Sequence, residues 1–401
     1  MPAQADQSIL HISADFPDPL QPNKTKAVST LLELTQDTFR HQVYSLNRVA
    51  RGGGISAVEF GAGWRAVAYE GFPRGIFLQR YLSRVAAWIL KDLEKRRLDV
   101  AFVHAHKLST DALVGAEVAE ALAVPLVVSS QGNSDLKIIG TKRDLRQTWQ
   151  RIWRDAALIL PFAPWTAARL TQLLGPRDKP TVYLPCPTLQ DRILPPRITG
   201  PLIRTAFHLR DYRNKNAETL IRAVAIAARR IPDIRLEIIG GGDPQAFATL
   251  NRIVAREGDG RAGLVGPVAH GSMQEVLNDS CAFVMASFRE SYGMVYAESL
   301  LAGTPVVHSA TNGISGYLDS PAVVGVDPRD PEALAEAVLR LVAGQDQIKA
   351  ELRDLQERGG LDFLRRDAIA QVYSRAVASL SPATEQANSQ DDGTDSVPQN
   401  G

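Results

Sequence analysis

Ser287-Phe288-Arg289-Glu290-Ser291-Tyr292-Gly293-Met294-Val295-Tyr296-Ala297-Glu298 decides how this chain is read. The apolar run Ala282-Phe283-Val284-Met285-Ala286 before it has the composition of a buried strand, and Gly293 opens a helical pattern. Ala302-Gly303-Thr304-Pro305-Val306-Val307 then supplies a helix end, a Gly/Pro turn and another strand. Glu290 is thereby placed on a strand-to-helix loop, and Glu298 on the helix just over a turn inside it. Two such carboxylates bracketing unpaired backbone N–H groups suit a polyhydroxylated anion. Carboxylates accept from hydroxyls, while a helix N-terminus attracts phosphate.

Outward from this block, short apolar runs alternate with helical patterns, as in parallel sheets covered on both faces. Strands are expected at 9–13, 42–45, 66–69, 100–104, 126–130, 157–160 and 182–184, and again at 202–207, 235–239, 263–265, 282–286 and 306–308. Between the two series, Pro185, Pro187, Pro195, Pro196 and Pro201 cannot donate to a sheet ladder, so 186–201 reads as a linker. The expected organisation is a first α/β domain over 1–185, a second over 202–362 and a final helix over 363–380. A Ser/Gln/Asp-rich tail over 381–401, without aromatics, is expected to be disordered. The 217–230 segment is the clearest internal helix.

At 401 residues the chain accommodates two separate cores. A net charge of +1 argues against a nucleic-acid binder, and Cys186 and Cys281 lack metal-ligand spacing, as expected of buried thiols in a reducing compartment. Residues 1–7 lack the plan of a signal peptide, and no apolar run approaches the ~20 residues of a membrane span. A cytoplasmic protein is expected. Two first-domain helices, 75–97 and 142–156, carry basic faces (Arg80, Arg84, Lys91, Lys95; Arg143, Arg146, Arg151, Arg154) opposite apolar faces that include Trp88, Trp149 and Trp153. Such helices suit either the inner, anionic face of a plasma membrane or a solvated surface with the tryptophans in the core.

The block around Glu290 and Glu298, taken with Tyr292-Gly293, the 302–307 turn and Gly313, resembles the Glu-x7-Glu signature of retaining glycosyltransferases of glycosyltransferase family 4. The resemblance runs from the strand at 9 to residue 380. It implies the GT-B fold: two Rossmann-like domains face a central cleft, and a C-terminal helix crosses back onto the first. It also implies a nucleotide-diphosphate sugar as donor, a saccharide or lipid-linked acceptor, no cofactor and no required metal. Glu298 would hold the ribose, and Glu290 with the amides of Tyr292, Gly293, Met294 and Val295 would hold the sugar. Lys215 matches the family's phosphate-binding lysine. The partner arginine is Arg210 or Arg213, with His208 at the aligned position as a weaker donor. Gly240 opens the turn that passes near the nucleotide, and the main chain at Val268 faces the base.

The chain departs from the family in two places. Gln131 stands where a histidine is usual, which keeps hydrogen bonding but loses a titratable group; it is assigned to the transferred sugar. Near the first strand, where a Gly-Gly pair is common, the chain has three prolines and then Lys24-Thr25, assigned to phosphate or acceptor. His104-Ala105-His106 has no third ligand nearby in sequence, so no metal site is expected. The alternatives are a nucleotide-sugar epimerase on the same fold and a non-catalytic scaffold of a polysaccharide assembly.

Overall fold

The computed structural model describes residues 8–50 and 54–380. The expected tail over 381–401 lies outside the described residues. The first sheet has seven strands: β1 (Ser8–Ser13), β2 (Arg40–Val49), β3 (Ile55–Phe60), β4 (Trp64–Glu70), β5 (Phe102–Ala105), β6 (Leu126–Ser130) and β7 (Leu158–Pro161), in the order β3-β4-β2-β1-β5-β6-β7. All neighbours are parallel except β3 and β4. Its helices are α1 (Ala27–Thr35), α2 (Leu78–Arg96), α3 (Asp111–Leu122), α4 (Asn133–Thr141), α5 (Arg146–Asp155) and α6 (Pro164–Leu174).

The second sheet contains β8 (Leu202–Ala206), β9 (Arg235–Ile239), β10 (Ala262–Gly266), β11 (Ala282–Met285), β12 (Val306–Ser309) and β13 (Val323–Val326), all parallel in the order β10-β9-β8-β11-β12-β13. Helices α7 (Ala217–Ala227), α8 (Pro244–Glu257), α9 (Met273–Asn278), α10 (Met294–Leu301), α11 (Pro331–Ala343) and α12 (Gln345–Glu357) cover it. In both sheets the chain order reverses beside the first strand, β1 or β8. That reversal opens the crevice at the carboxyl ends of the strands where such sheets take ligands.

The last helix, α13 (Arg366–Ala378), returns to the first domain. Its Ile369, Tyr373 and Val377 are fully buried with Ile9, Leu31, Phe39, Phe102 and Val127. Its i, i+4, i+8 spacing is one helical stripe. Residues 186–201 form no helix or strand but dock on the second domain: Leu194 donates its N–H to Leu301 O at 2.8 Å, and Asn278 Nδ2 donates to Pro195 O at 3.0 Å.

Three expectations are corrected. Residues 182–184 do not form a strand: Val182 and Leu184 donate to Ile159 O and Pro161 O at 3.0 Å, beside β7, but Pro180 and Pro185 flank the segment and end the ladder. The strands β3 and β13 were not expected. Along β3 every side chain is at least partly exposed, so the alternation that betrays a strand is missing. The tryptophans of α5 are not available to a lipid surface, because Trp149 and Trp153 are buried in the first-domain core.

Candidate active site

A cavity of about 400 Å³ lies between the carboxyl ends of the two sheets. Thr25, Val28, Gln131 and Phe162 line it from the first domain; Lys215, Glu290, Tyr292, Gly293, Met294, Val295 and Glu298 line it from the second. Residues scattered over the chain meet there because each follows a parallel strand, and every parallel strand delivers its loop to the same edge.

Glu290 and Lys215 form an ion pair, although 75 residues separate them. The juxtaposition follows from β8 and β11 being neighbours, so the loops after them run side by side. Three hydrogen bonds lace the two loops, and a fourth ties Glu290 to the loop after β12. Phe288 N donates to Asn214 O at 2.9 Å, and Asn214 Nδ2 donates to Arg289 O at 2.9 Å. Asn216 Nδ2 donates to Ala286 O at 3.1 Å, and Glu290 O accepts from Gly313 N at 3.0 Å. The pair is mostly screened from solvent, with side-chain exposures of 19% for Lys215 and 13% for Glu290.

Gly293 caps α10 with φ of 79°. A Cβ there would lie 2.4 Å from the Tyr296 ring and 3.1 Å from Glu290 Cγ, so glycine is required both by conformation and by space. The Glu298 carboxylate has no hydrogen-bond partner among the described residues, and burial pushes it up to about 7. A desolvated carboxylate that lines a cavity is an acceptor suited to hydroxyl donors.

On the opposite wall, Asp135 accepts from the N–H groups of Gln131 and Ser109 at 2.8 Å and so shapes the loop. Gln131 Nε2 donates to His106 O at 3.1 Å, and the residue lines the cavity. Two bonds tie the domains together at this level: Trp165 Nε1 donates to Gly313 O and Tyr317 Oη to Phe162 O, each at 2.8 Å. Gly313 thus links Glu290 on one side to Trp165 of the first domain on the other.

Several expected site residues are not brought to the cavity. Lys24 is corrected: its ammonium is buried against Asp18, Ser45 and Leu46 O, and it anchors the loop whose next residue, Thr25, does reach the cavity. Arg210 is held on the surface by an ion pair with Asp243, which caps α8. Arg213 lies over the Tyr212 ring and lines a separate shallow depression. His208 Nδ1 accepts from Arg210 N at 3.4 Å and acts as a turn cap. Gly240 does not line the cavity, and a Cβ there would fall 1.9 Å from Phe207 O. Val268 does not line the cavity, but His270, two residues on, does. The sequence points to the main chain at Val268 on the loop after β10 but gives no signal for His270.

Behind Gln131 lies a buried histidine cluster. His104 and His106 are joined by His11 from β1, and the ligand-type nitrogens of these three lie within 4.8 Å of one another. The expectation of no third histidine nearby is thus corrected by the sheet, which sets β1 beside β5. Hydrogen bonds occupy the rings. Thr35 Oγ1 donates to Leu31 O at 2.9 Å, so it accepts from His41 Nε2 at 3.1 Å. His41 Nδ1 then accepts from His11 Nε2, and His11 Nδ1 from His106 Nε2, both at 2.9 Å. His104 bonds Tyr373 of α13 at 3.0 Å and Ser129 at 2.9 Å. Burial holds all four well below the ordinary imidazole value, His41 at about 4 and His106 at about 3. Neutral, mutually bonded rings need no ion, and the cluster reads as a structural network.

The family described as "Glycosyl transferase 4-like domain" matches residues 32–187, and that described as "Glycosyl transferases group 1" matches residues 204–344. Together they take in both sheets. The chain belongs to the GT-B glycosyltransferases of the family 4 type.

It is 30% identical over 187 residues to a D-inositol 3-phosphate glycosyltransferase of Nocardioides, covering 42% of this chain and 41% of that one. It is 29% identical over 217 residues to a GDP-mannose-dependent alpha-(1-6)-phosphatidylinositol monomannoside mannosyltransferase of Mycolicibacterium smegmatis, covering 49% and 56%. The aligned part thus spans about half the length of these curated relatives. The structure of sucrose-phosphate synthase from Thermosynechococcus elongatus superposes with a TM-score of 0.69 at 20% identity, over 93% of this chain and 100% of that one. At that identity the likeness establishes the GT-B fold.

Proposed function

We propose that this GT-B protein is a retaining hexosyltransferase that moves a sugar from a nucleotide-diphosphate donor to a saccharide or lipid-linked acceptor in cell-surface polysaccharide or glycolipid synthesis. The observation that carries this reading is the unpartnered, desolvated Glu298 in one cavity with the Lys215–Glu290 pair and the N-terminus of α10. That set offers an acceptor for ribose hydroxyls and a cation with amide donors for phosphate. The name of the mannosyltransferase relative, a GDP-mannose-dependent enzyme acting on a phosphatidylinositol monomannoside, supports both the donor class and a lipid-borne acceptor.

In this mechanism Lys215 moves part of its charge from Glu290 to the β-phosphate as the nucleotide leaves, which stabilises the charge that develops there. Glu290, relieved of its partner, faces the sugar as the ring gains positive character. Gln131 and Thr25 orient sugar and acceptor from the opposite wall. Among the described residues no imidazole or carboxylate of the first domain lines the cavity, and in this proposal the acceptor proton passes to a phosphate oxygen on the face the nucleotide departs from. Lys215 and the amides supply the positive charge, so we expect turnover without divalent metal.

The test is binding followed by transfer. Thermal-shift titration with UDP, GDP, ADP and their sugars identifies the donor, because a ligand bound to the native state raises stability by RT ln(1 + [L]/Kd). Mass analysis of products with and without glycan or lipid acceptors then distinguishes transfer from epimerisation. Donor binding without turnover under any acceptor would favour the scaffold alternative.

A further inference from the structure

A second depression, of about 350 Å³, lies beside the loops after β8 and β11. None of the residues that line it lines the cavity between the domains. Tyr212 and Arg213 reach it from one loop, Phe288 from the other, and Thr219 and Arg222 from the first two turns of α7. Buried Asn216 holds this wall together. Its Nδ2 donates to Ala286 O and to Pro328 O, which fixes the loop after β13 against the other two.

Aromatic faces and free guanidinium groups converge here. Phe288 is 41% exposed, and the Arg329 guanidinium lies 6.0 Å from the centre of its ring. The Arg213 guanidinium lies 5.5 Å from the Tyr212 ring, and its Nε donates to Tyr212 Oη at 2.9 Å. Arg289, next to Phe288, reaches Asn214 Oδ1 through Nε at 3.4 Å. All three arginines are exposed, and none forms an ion pair among the described residues. Their terminal nitrogens have no hydrogen-bond partner there either. The nearby carboxylates are already engaged. Glu218 and Glu257 are matched by Arg222 and Arg256, and Asp327 and Asp330 accept from the N–H groups of Arg329, Glu332 and Ala333.

A free guanidinium takes a carboxylate or phosphate through two parallel N–H donors, and an aromatic face takes the C–H face of a ring by dispersion. A simple anion would leave the aromatic faces unused, and an apolar segment would desolvate the arginines without pairing them. A ring-shaped ligand bearing anionic groups uses both. We infer that this depression binds an acidic saccharide, bearing carboxylate or phosphate groups, and holds its chain outside the catalytic cleft. Lys215 and Glu290 stand on the same two loops and line the cleft, so a chain held here stays beside the reacting centre between transfers. The inference rests on the saccharide branch of the proposed function.

The experiment is calorimetric titration of the full chain with hexagalacturonate, with maltohexaose 6-phosphate and with neutral maltohexaose. At least one of the two charged saccharides should bind, which identifies the anionic group, and maltohexaose should not. Binding should weaken as salt is raised. The double variant R289Q and R329Q should bind about tenfold more weakly. F288L keeps the charge and removes the ring, and should bind about threefold more weakly or worse. Both variants should keep the wild-type melting temperature and nucleotide-induced thermal shift, because none of the three residues lines the cavity. Absence of binding by either charged saccharide, or wild-type affinity in the double arginine variant, overturns the inference. Polyglutamate bound as tightly as hexagalacturonate, with F288L unchanged, also overturns it and leaves an unspecific anionic contact. Donor binding and transfer are read separately, by nucleotide-induced thermal shift and product mass, so failure here leaves the proposed function standing.

Discussion

Glu298 and Glu290 are set eight positions apart, yet their environments differ. Glu290 is neutralised by Lys215, whereas Glu298 is desolvated with no donor, and its carboxyl sits at about 7. Hydroxyl donors from a bound ribose stabilise the ionised form and pull that value down, so nucleotide binding near pH 7 should release a proton. Calorimetric titration in buffers of different ionisation enthalpy measures it; identical enthalpies in all buffers would remove the assignment. Glu298→Ala should mainly raise the donor KM, by ~10-fold or more if a charge-assisted bond worth ~1.5–3 kcal/mol is lost. Glu290→Gln should instead lower kcat with little change in nucleotide affinity, because its sugar contact strengthens only as charge develops. Steady-state kinetics with bare-nucleotide binding separates the two roles, and the opposite pattern would reverse them. Gly293→Ala should abolish both, since its methyl would meet the Tyr296 ring and push α10 away from the cavity.

At the scale of elements, the histidine network joins α1, β1, β2 and β5 to the returning helix α13. Its members carry folded pKa values below the unfolded value of ~6.5, so the unfolded chain binds more protons in the window beneath it. Their stabilisation is fully present above ~6.5 and is lost as pH falls toward the values of about 4 and about 3 cited for His41 and His106. Asp111, buried near Lys107 and Asp15 and raised by burial to about 7, works the other way and loses its contribution as pH rises through 7. The network is therefore read from a difference. Wild type minus His41→Asn should show a melting-temperature gap that shrinks as pH is lowered from 7 to 5; a gap independent of pH would show that the imidazole does not titrate with folding. In the same network, Tyr373→Phe removes the hydroxyl bonded to His104 and should cost ~1 kcal/mol, measured by denaturant melting.

For the whole molecule, the cleft is tied across its floor by Trp165 to Gly313 and by Tyr317 to Phe162. Because Gly313 N also holds the main chain of Glu290, the state of the cleft and the position of the carboxylate are coupled. Trp165→Phe keeps the ring and deletes the bond. It should raise the donor KM by about threefold to tenfold while the melting temperature shifts little. An unchanged KM would show that the tie does not help to assemble the site. Chelation with EDTA should leave turnover intact; loss of activity restored by magnesium would overturn the metal-independent mechanism.

The sequence by itself determined the two largely parallel sheets, the proline-rich connection, the returning helix and the contiguous block from Glu290 to Glu298 that lines the cavity. Each of these is written in local periodicity or in turn residues, which act over a few positions. Thr25, Gln131 and Lys215 were legible too, because they follow strands that the apolar runs announce. Tertiary structure decided the rest. The pairing of Lys215 with Glu290 depends on strand order, which juxtaposes loops 75 residues apart. Strand order likewise gathers His11, His41, His104 and His106, and it leaves Lys24 facing Asp18 instead of the cleft. Arg210 and Val268 share loops with residues of the site but not its surface, since one is drawn off by Asp243 and the other gives way to His270. Periodicity reports which face of an element is buried, but not which element lies opposite. That choice is made by the sum of many weak contacts between distant segments, and only the packed sheets record it.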